Sequence, residues 1–175
     1  LSQSPLLNIK NLTVRDERKL LLSSFDLSLI QNQSVVLMGP GGSGKSLVRK
    51  FILGEYHSDL NYSVSTYDNN FLNPFVINAN DLIPTDTNVP TDGHDLYLFD
   101  EPDKAYSLED FLLTFNRLRS KQKSILICTH HLGFIRECSD IIYFLKYGET
   151  RGVFTPHDFF NSTDPEIAYI ARMGC

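Results

Sequence analysis

The chain has 175 residues, 42% hydrophobic and 21% charged, which suits a single globular domain over residues 1–175 with one main core. A formal net charge of −5 argues against a general nucleic-acid surface. Cys128, Cys138 and Cys175 follow no metal-ligand spacing and read as thiols of a reducing compartment, while no apolar run reaches membrane-spanning length and no basic-then-apolar leader opens the chain, so the expected location is the cytoplasm.

Leu7 and Ile9, then Leu12 and Val14 after a break, alternate with polar residues, as do Phe25, Leu27 and Leu29. This period of two predicts antiparallel strands with one solvated face. The charged stretch Arg15-Asp16-Glu17-Arg18-Lys19 between them reads as an exposed turn. Val35–Met38 is a continuous apolar run, the pattern of a strand buried on both faces, and Leu96–Phe99, Ile125–Cys128 and Ile141–Leu145 repeat it. Leu47, Val48, Phe51 and Ile52 place a helix after the first of these runs. The middle, residues 54–95, is rich in Asn, Asp, Thr and Pro. Val64–Tyr67 and Phe75–Ile77 read there as short strands, and residues 84–95 as a loop.

Leu108, Phe111, Leu112, Phe115 and Leu118 recur at helical spacing. Ser107 and Asp110 form a capping box at the start of that helix, and Arg117, Arg119 and Lys121 suit the negative end of its dipole. Strand, helix and strand in this rhythm predict a mostly parallel central sheet flanked by helices, an α/β fold behind an N-terminal antiparallel β subdomain. Thr155-Pro156 and Asp164-Pro165 each set a cap before a proline at the first helical position, which predicts two short C-terminal helices.

Three motifs carry chemistry. Gly39-Pro40-Gly41-Gly42-Ser43-Gly44-Lys45-Ser46 fits the phosphate-loop pattern G-x-x-x-x-G-K-[ST] between a buried strand and a helix. Its glycines let successive N–H groups face a triphosphate, and the next helix adds its positive end. Lys45 reaches the β- and γ-phosphates, and the Ser46 hydroxyl ligates Mg2+. Asp100 and Glu101 end the apolar run Leu96–Phe99, and in open α/β sheets chemistry collects at the carboxyl ends of strands. Asp100 is placed to hold magnesium through a water, and Glu101 to polarise the attacking water. Thr129-His130-His131 comes after the run Ile125–Cys128, and His130 is placed to sense a γ-phosphate by hydrogen bonding. No further Cys or His completes a zinc set around the two histidines.

With these motifs in this order the chain resembles an ATP-binding-cassette (ABC) ATPase. Gly39–Ser46 is similar to that family's Walker A loop, Leu96–Pro102 to its Walker B segment, and Cys128-Thr129-His130 to its switch-histidine loop. More softly, Leu7–Val14 resembles the opening strand of such domains. Ser139–Leu145 with Gly148-Glu149 behind it resembles the penultimate strand and its hairpin, and Thr155–Phe160 the segment after it. The resemblance implies a P-loop NTPase fold of ABC type, ATP and Mg2+ as cofactors, and catalysis by Glu101, His130 and Lys45. It also implies a second cassette as partner and, through it or directly, a membrane-embedded transporter subunit that brings the protein to the membrane.

Departures from the family pattern narrow these expectations. The Leu-Ser-Gly-Gly-Gln signature is absent, Leu1-Ser2-Gln3 is no substitute, and the interval from Lys45 to Asp100 leaves the helical subdomain reduced or missing. Asn78 stands where the family's Gln-loop glutamine belongs, as a third metal-side residue with Ser46 and Asp100. The adenine-stacking aromatic falls near Asp16 and Arg15, and Ser107 stands near the D-loop aspartate. Three accounts remain open: pairing with a full cassette, nucleotide binding without efficient hydrolysis, or a sequence that lacks a segment at 84–95. The leading expectation is an ATPase that drives or gates a transporter, and the second is a degenerate nucleotide-binding regulatory module. The Asp-Glu strand end and the Thr-His turn argue against a small-molecule kinase, and the lack of an Asn-Lys-x-Asp segment argues against a GTPase.

Overall fold

A computed structural model describes residues 4–70, 73–78 and 89–174. The expectations placed on Leu1–Gln3, on Ala79 and residues 84–88, and on Cys175 lie outside the described residues. Strands β1 (Leu7–Arg15) and β2 (Leu20–Leu29) pair antiparallel, and their alternating positions are buried on one face only. Asp16 closes the turn between them by accepting the N–H groups of Arg18 and Lys19 at 2.7 and 2.6 Å. Strand β3 (Ser34–Met38) runs into helix α1 (Lys45–Ile52), after which β4 (Asn61–Ser63) and β5 (Thr66–Asn69) return to β1.

The expected strand Val64–Tyr67 is therefore two strands, interrupted at residues 64–65. The cause lies in β1. Asn11 adopts φ 58°, a left-handed conformation that Asn tolerates better than most residues, and bulges that strand between Ile9 and Leu12. The facing chain breaks opposite the bulge, where Asn11 Nδ2 donates to Ser65 Oγ at 3.1 Å.

Strand β6 (Phe75–Ile77) falls where the sequence places it, and β7 (Leu96–Asp100) leads through one 3₁₀ turn, Pro102–Lys104, into α2 (Leu108–Ser120). Ser107 caps α2 by accepting from Asp110 N at 3.1 Å. Strand β8 (Ser124–Thr129) is followed by α3 (Leu132–Cys138), a helix that the sequence pattern does not announce. Strands β9 (Ile141–Lys146) and β10 (Glu149–Phe154) form the expected hairpin, and α4 (Pro156–Phe160) and α5 (Pro165–Met173) begin at the two predicted caps, Thr155 and Asp164.

The central sheet has the order β10-β9-β3-β8-β7-β6, parallel throughout except for the β10 edge. Because successive side chains of a strand point to opposite faces, each central strand feeds two cores. Val36, Met38, Tyr97, Phe99, Ile125 and Ile127 face α2, α3 and the C-terminal helices. Val35, Leu37, Leu96, Leu98, Leu126 and Cys128 face α1 and the antiparallel β subdomain. Burial on both sides explains the continuous apolar runs, and each such side chain contributes about 1.5–3 kcal/mol. The described residues between β6 and β7 hold no helix.

Candidate nucleotide site

The site forms at the carboxyl ends of β3, β7 and β8. In the loop after β3, Gly39, Gly42 and Gly44 have φ of 150°, 75° and 109°, while Gly41 has no left-handed requirement. At Gly39 a Cβ would stand 2.1 Å from Leu145 O of β9, so the first glycine is fixed by the neighbouring strand as well as by its own dihedral. Gly148, in the β9–β10 turn, donates its N–H to Ser43 O at 3.2 Å and braces the loop from the other side. Gly44 is the N-cap of α1 and offers no side-chain cap, leaving the first N–H groups of that helix facing the loop.

Lys45 is buried and folded back on the loop. Its ammonium donates to Gly39 O at 2.5 Å, Pro40 O at 3.1 Å and Ser43 Oγ at 3.4 Å. A phosphate oxygen in the loop would replace these carbonyl partners with a charged acceptor, roughly doubling the strength of each bond. Ser46 is exposed at the first turn of α1. Residues Gly41 to Leu47 share a cleft of about 240 Å³ with Leu21, Asp100 and Glu101, so the phosphate loop and the acidic pair meet although they are distant in sequence.

Both carboxylates of the pair have internal partners. Asp100 Oδ2 lies 3.3 Å from Arg49 Nε, an ion pair in which the N–H is not aligned for a hydrogen bond. Burial pushes the Asp100 carboxyl above its ordinary range, and Arg49 partly offsets the shift. Glu101 pairs with Lys104 one turn later, and that contact raises the lysine. Glu101 itself holds φ 47° and ties its N–H to Cys128 O at 2.7 Å, a strained backbone for a non-glycine residue at the point where strand becomes turn.

Asn78 and His130 stand differently. Asn78 Oδ1 accepts from Arg49 Nη1 at 3.0 Å, so the metal-side role expected of Asn78 meets a cationic side chain already on its oxygen. His130 is exposed just after β8 and does not line the cleft. Its backbone is held on both sides. Thr129 Oγ1 donates to Asp103 Oδ1 at 2.6 Å, and His131 N donates back to Thr129 Oγ1 at 3.1 Å. His131 caps α3 by accepting from Gly133 N at 3.2 Å, which gives it a structural role.

Arg49 is the residue that sequence reasoning missed. It stands four positions after Lys45 on α1, so both side chains rise on one face of the helix. Strand β8 lies between β3 and β7, and Arg49 spans that interval to reach the end of β7. Thr129 and Asp103 were also missed, because their bond links the end of β8 to the 3₁₀ turn after β7, which only the sheet order brings together.

The fold aligns with solved ATP-binding cassettes. An ATP-binding subunit of an ABC transporter superposes with TM-score 0.68 over 89% of this chain and 92% of its own, at 16% identity. A bacterial Atm1-family ABC exporter with ATP bound superposes with TM-score 0.72 over 97% of this chain and 42% of its own, at 14% identity. The chain has the fold of ABC-type ATP-binding domains. Curated proteins point the same way. A zinc import ATP-binding protein of Acinetobacter baylyi is 41% identical over 49 residues, 28% of this chain and 19% of that protein. A nopaline permease ATP-binding protein of Agrobacterium fabrum is 33% identical over 72 residues, 39% and 28% of the two chains. A glutamine transport ATP-binding protein of Geobacillus stearothermophilus is 31% identical over 78 residues, 43% and 32%. The chain thus spans less than a third of the length of each of these relatives, and no protein-family model matches it. Among its described residues no helix is long and apolar enough to cross a membrane.

Proposed function

We propose that this ABC-type cassette binds ATP at Gly39–Ser46 and hydrolyses it to drive or gate a partner, with a membrane transporter as the partner class. The observation that carries the reading is the shared cleft, which sets Gly41–Leu47 against Asp100 and Glu101. Lys45 turns from the loop carbonyls to the β- and γ-phosphates, and the open N–H groups of the loop and of α1 hold the remaining phosphate oxygens. Glu101 accepts a proton from the attacking water once it leaves Lys104, and His130 positions the γ-phosphate from the end of β8. The Ser46 hydroxyl and the Asp100 carboxylate are hard oxygen donors of the kind Mg2+ takes, with Asn78 behind them. When bound, such an ion would supply charge neutralisation at the phosphates. Support for the transporter partner comes from the names of the curated relatives, which are ATP-binding proteins of import, permease and transport systems. A second cassette would face the same cleft, and a regulatory module that binds ATP with little turnover is the second reading, favoured by the missing signature segment.

Phosphate release by the purified chain, alone and with co-encoded proteins, tests this. Turnover that falls at least about a hundredfold in Glu101→Gln while ATP binding persists is the expected result. Bound ATP with no turnover under any condition refutes the motor reading. Binding unchanged in Lys45→Ala refutes the phosphate loop itself.

A further inference from the structure

We propose that Arg49 is an internal counter-cation of the cleft, which neutralises Asp100 until a divalent metal displaces it, so that the triphosphate docks without metal and the metal arrives in a separate step. The proposal rests on the nucleotide reading above and goes beyond it in assigning a role to a residue outside the three motifs.

Arg49 is only 12% exposed in its side chain and contacts three oxygen-bearing groups. These are Asp100 Oδ2 at 3.3 Å, Asn78 Oδ1 at 3.0 Å and Glu55 Oε2 at 3.8 Å. Two of them, Asp100 and Asn78, belong to the metal-side set proposed above with Ser46. A guanidinium on those oxygens and a dication on the same oxygens exclude one another by charge and by space. The second carboxylate of the cleft is paired likewise, Glu101 with Lys104. A polyphosphate entering a cleft with two unpaired carboxylates is repelled by both, and metal relieves that repulsion. Here each carboxylate carries its own cation from within the chain, and Lys45 adds a third positive charge beside the loop. The anionic ligand therefore meets a compensated surface before any metal is present.

The measurement is the dissociation constant of ATP in excess Mg2+ and in EDTA, for wild type, Arg49→Gln and the double variant Arg49→Gln/Asp100→Asn. The wild-type constants should agree within about threefold. In Arg49→Gln the exposed Asp100 carboxylate weakens metal-free binding, and the EDTA constant should rise at least about tenfold above the Mg2+ constant. Removing the Asp100 charge as well should bring the ratio back to the wild-type range. A wild-type ratio above threefold overturns the proposal without any variant. So does an Arg49→Gln ratio equal to the wild type, or a double variant that stays metal-dependent. Absence of ATP binding by the wild type in both buffers is a distinct failure, that of the nucleotide reading itself.

Discussion

Replacing Gly39 by Ala places a methyl group where β9 already stands. The new Cβ lies 2.1 Å from Leu145 O and 2.8 Å from Ser43 Oγ, at φ 150°. Contacts under about 3 Å do not persist, so the loop or the β9 backbone moves by nearly an ångström. Three costs then add. Holding a non-glycine residue in that region costs on the order of 1–3 kcal/mol. Pushing Leu145 O out of place threatens the β9–β10 ladder, where Leu145 pairs with Thr150, and a buried carbonyl left without a partner costs about 1–3 kcal/mol. Displacing Ser43 also loosens the bond it receives from Gly148. The expected destabilisation is about 3–5 kcal/mol, a large part of the stability of a domain this size. Gly41 is the control, since it lies in the same loop, is exposed, and a Cβ there meets nothing within 4 Å. Gly41→Ala should stay within about 1 kcal/mol of wild type or gain slightly through the unfolded chain. Urea denaturation monitored by circular dichroism gives both numbers, and ATP titration shows whether each loop still closes. A Gly39→Ala protein within about 1 kcal/mol of Gly41→Ala would refute the claim that β9 fixes the first glycine.

Burial pushes the thiols of Cys128 and Cys138 up to about 12, so neither should react with iodoacetamide at about pH 8 in the native protein and both should react in urea, read by peptide mass. The sign of the linkage is that these raised values contribute stability below the ordinary thiol range, and it is lost as pH climbs towards 12. Ser107→Ala removes the hydroxyl that accepts from Asp110 N and should cost about 1 kcal/mol in urea denaturation, with ATP affinity unchanged.

The parts of the molecule legible in the sequence are those in which local pattern and tertiary burial agree. Val35, Val36 and Leu37 are apolar because β3 is covered on both faces, and that same burial forces it to the middle of the sheet. Thr155 and Asp164 announce α4 and α5 because a cap bonds only two or three residues ahead. Helix α3 escaped because it is seven residues long and is capped by His131, a residue seldom used there, so Phe134, Ile135 and Cys138 formed too short a stripe. The phosphate loop was legible because its chemistry is contiguous. Arg49 was not, because its partners Asp100 and Asn78 come from β7 and the end of β6, and no local rule links them to α1. The left-handed turn at Glu101 is similarly silent in sequence, since Glu has no intrinsic preference for it.

The position of β3 has a kinetic meaning. Val35 pairs with Leu126 on one side and Ile141 on the other, so the strand that launches the phosphate loop finds both neighbours only after most of the chain has been made. Parallel pairings of such long sequence separation must close large loops before they gain anything, which makes them slow to form. The loop glycine that abuts Leu145 cannot take its native shape until β9 has docked. On the proposed nucleotide reading, capture is therefore among the last events of folding, and a fluorescent ATP analogue in a refolding experiment would report completion of the sheet rather than formation of α1.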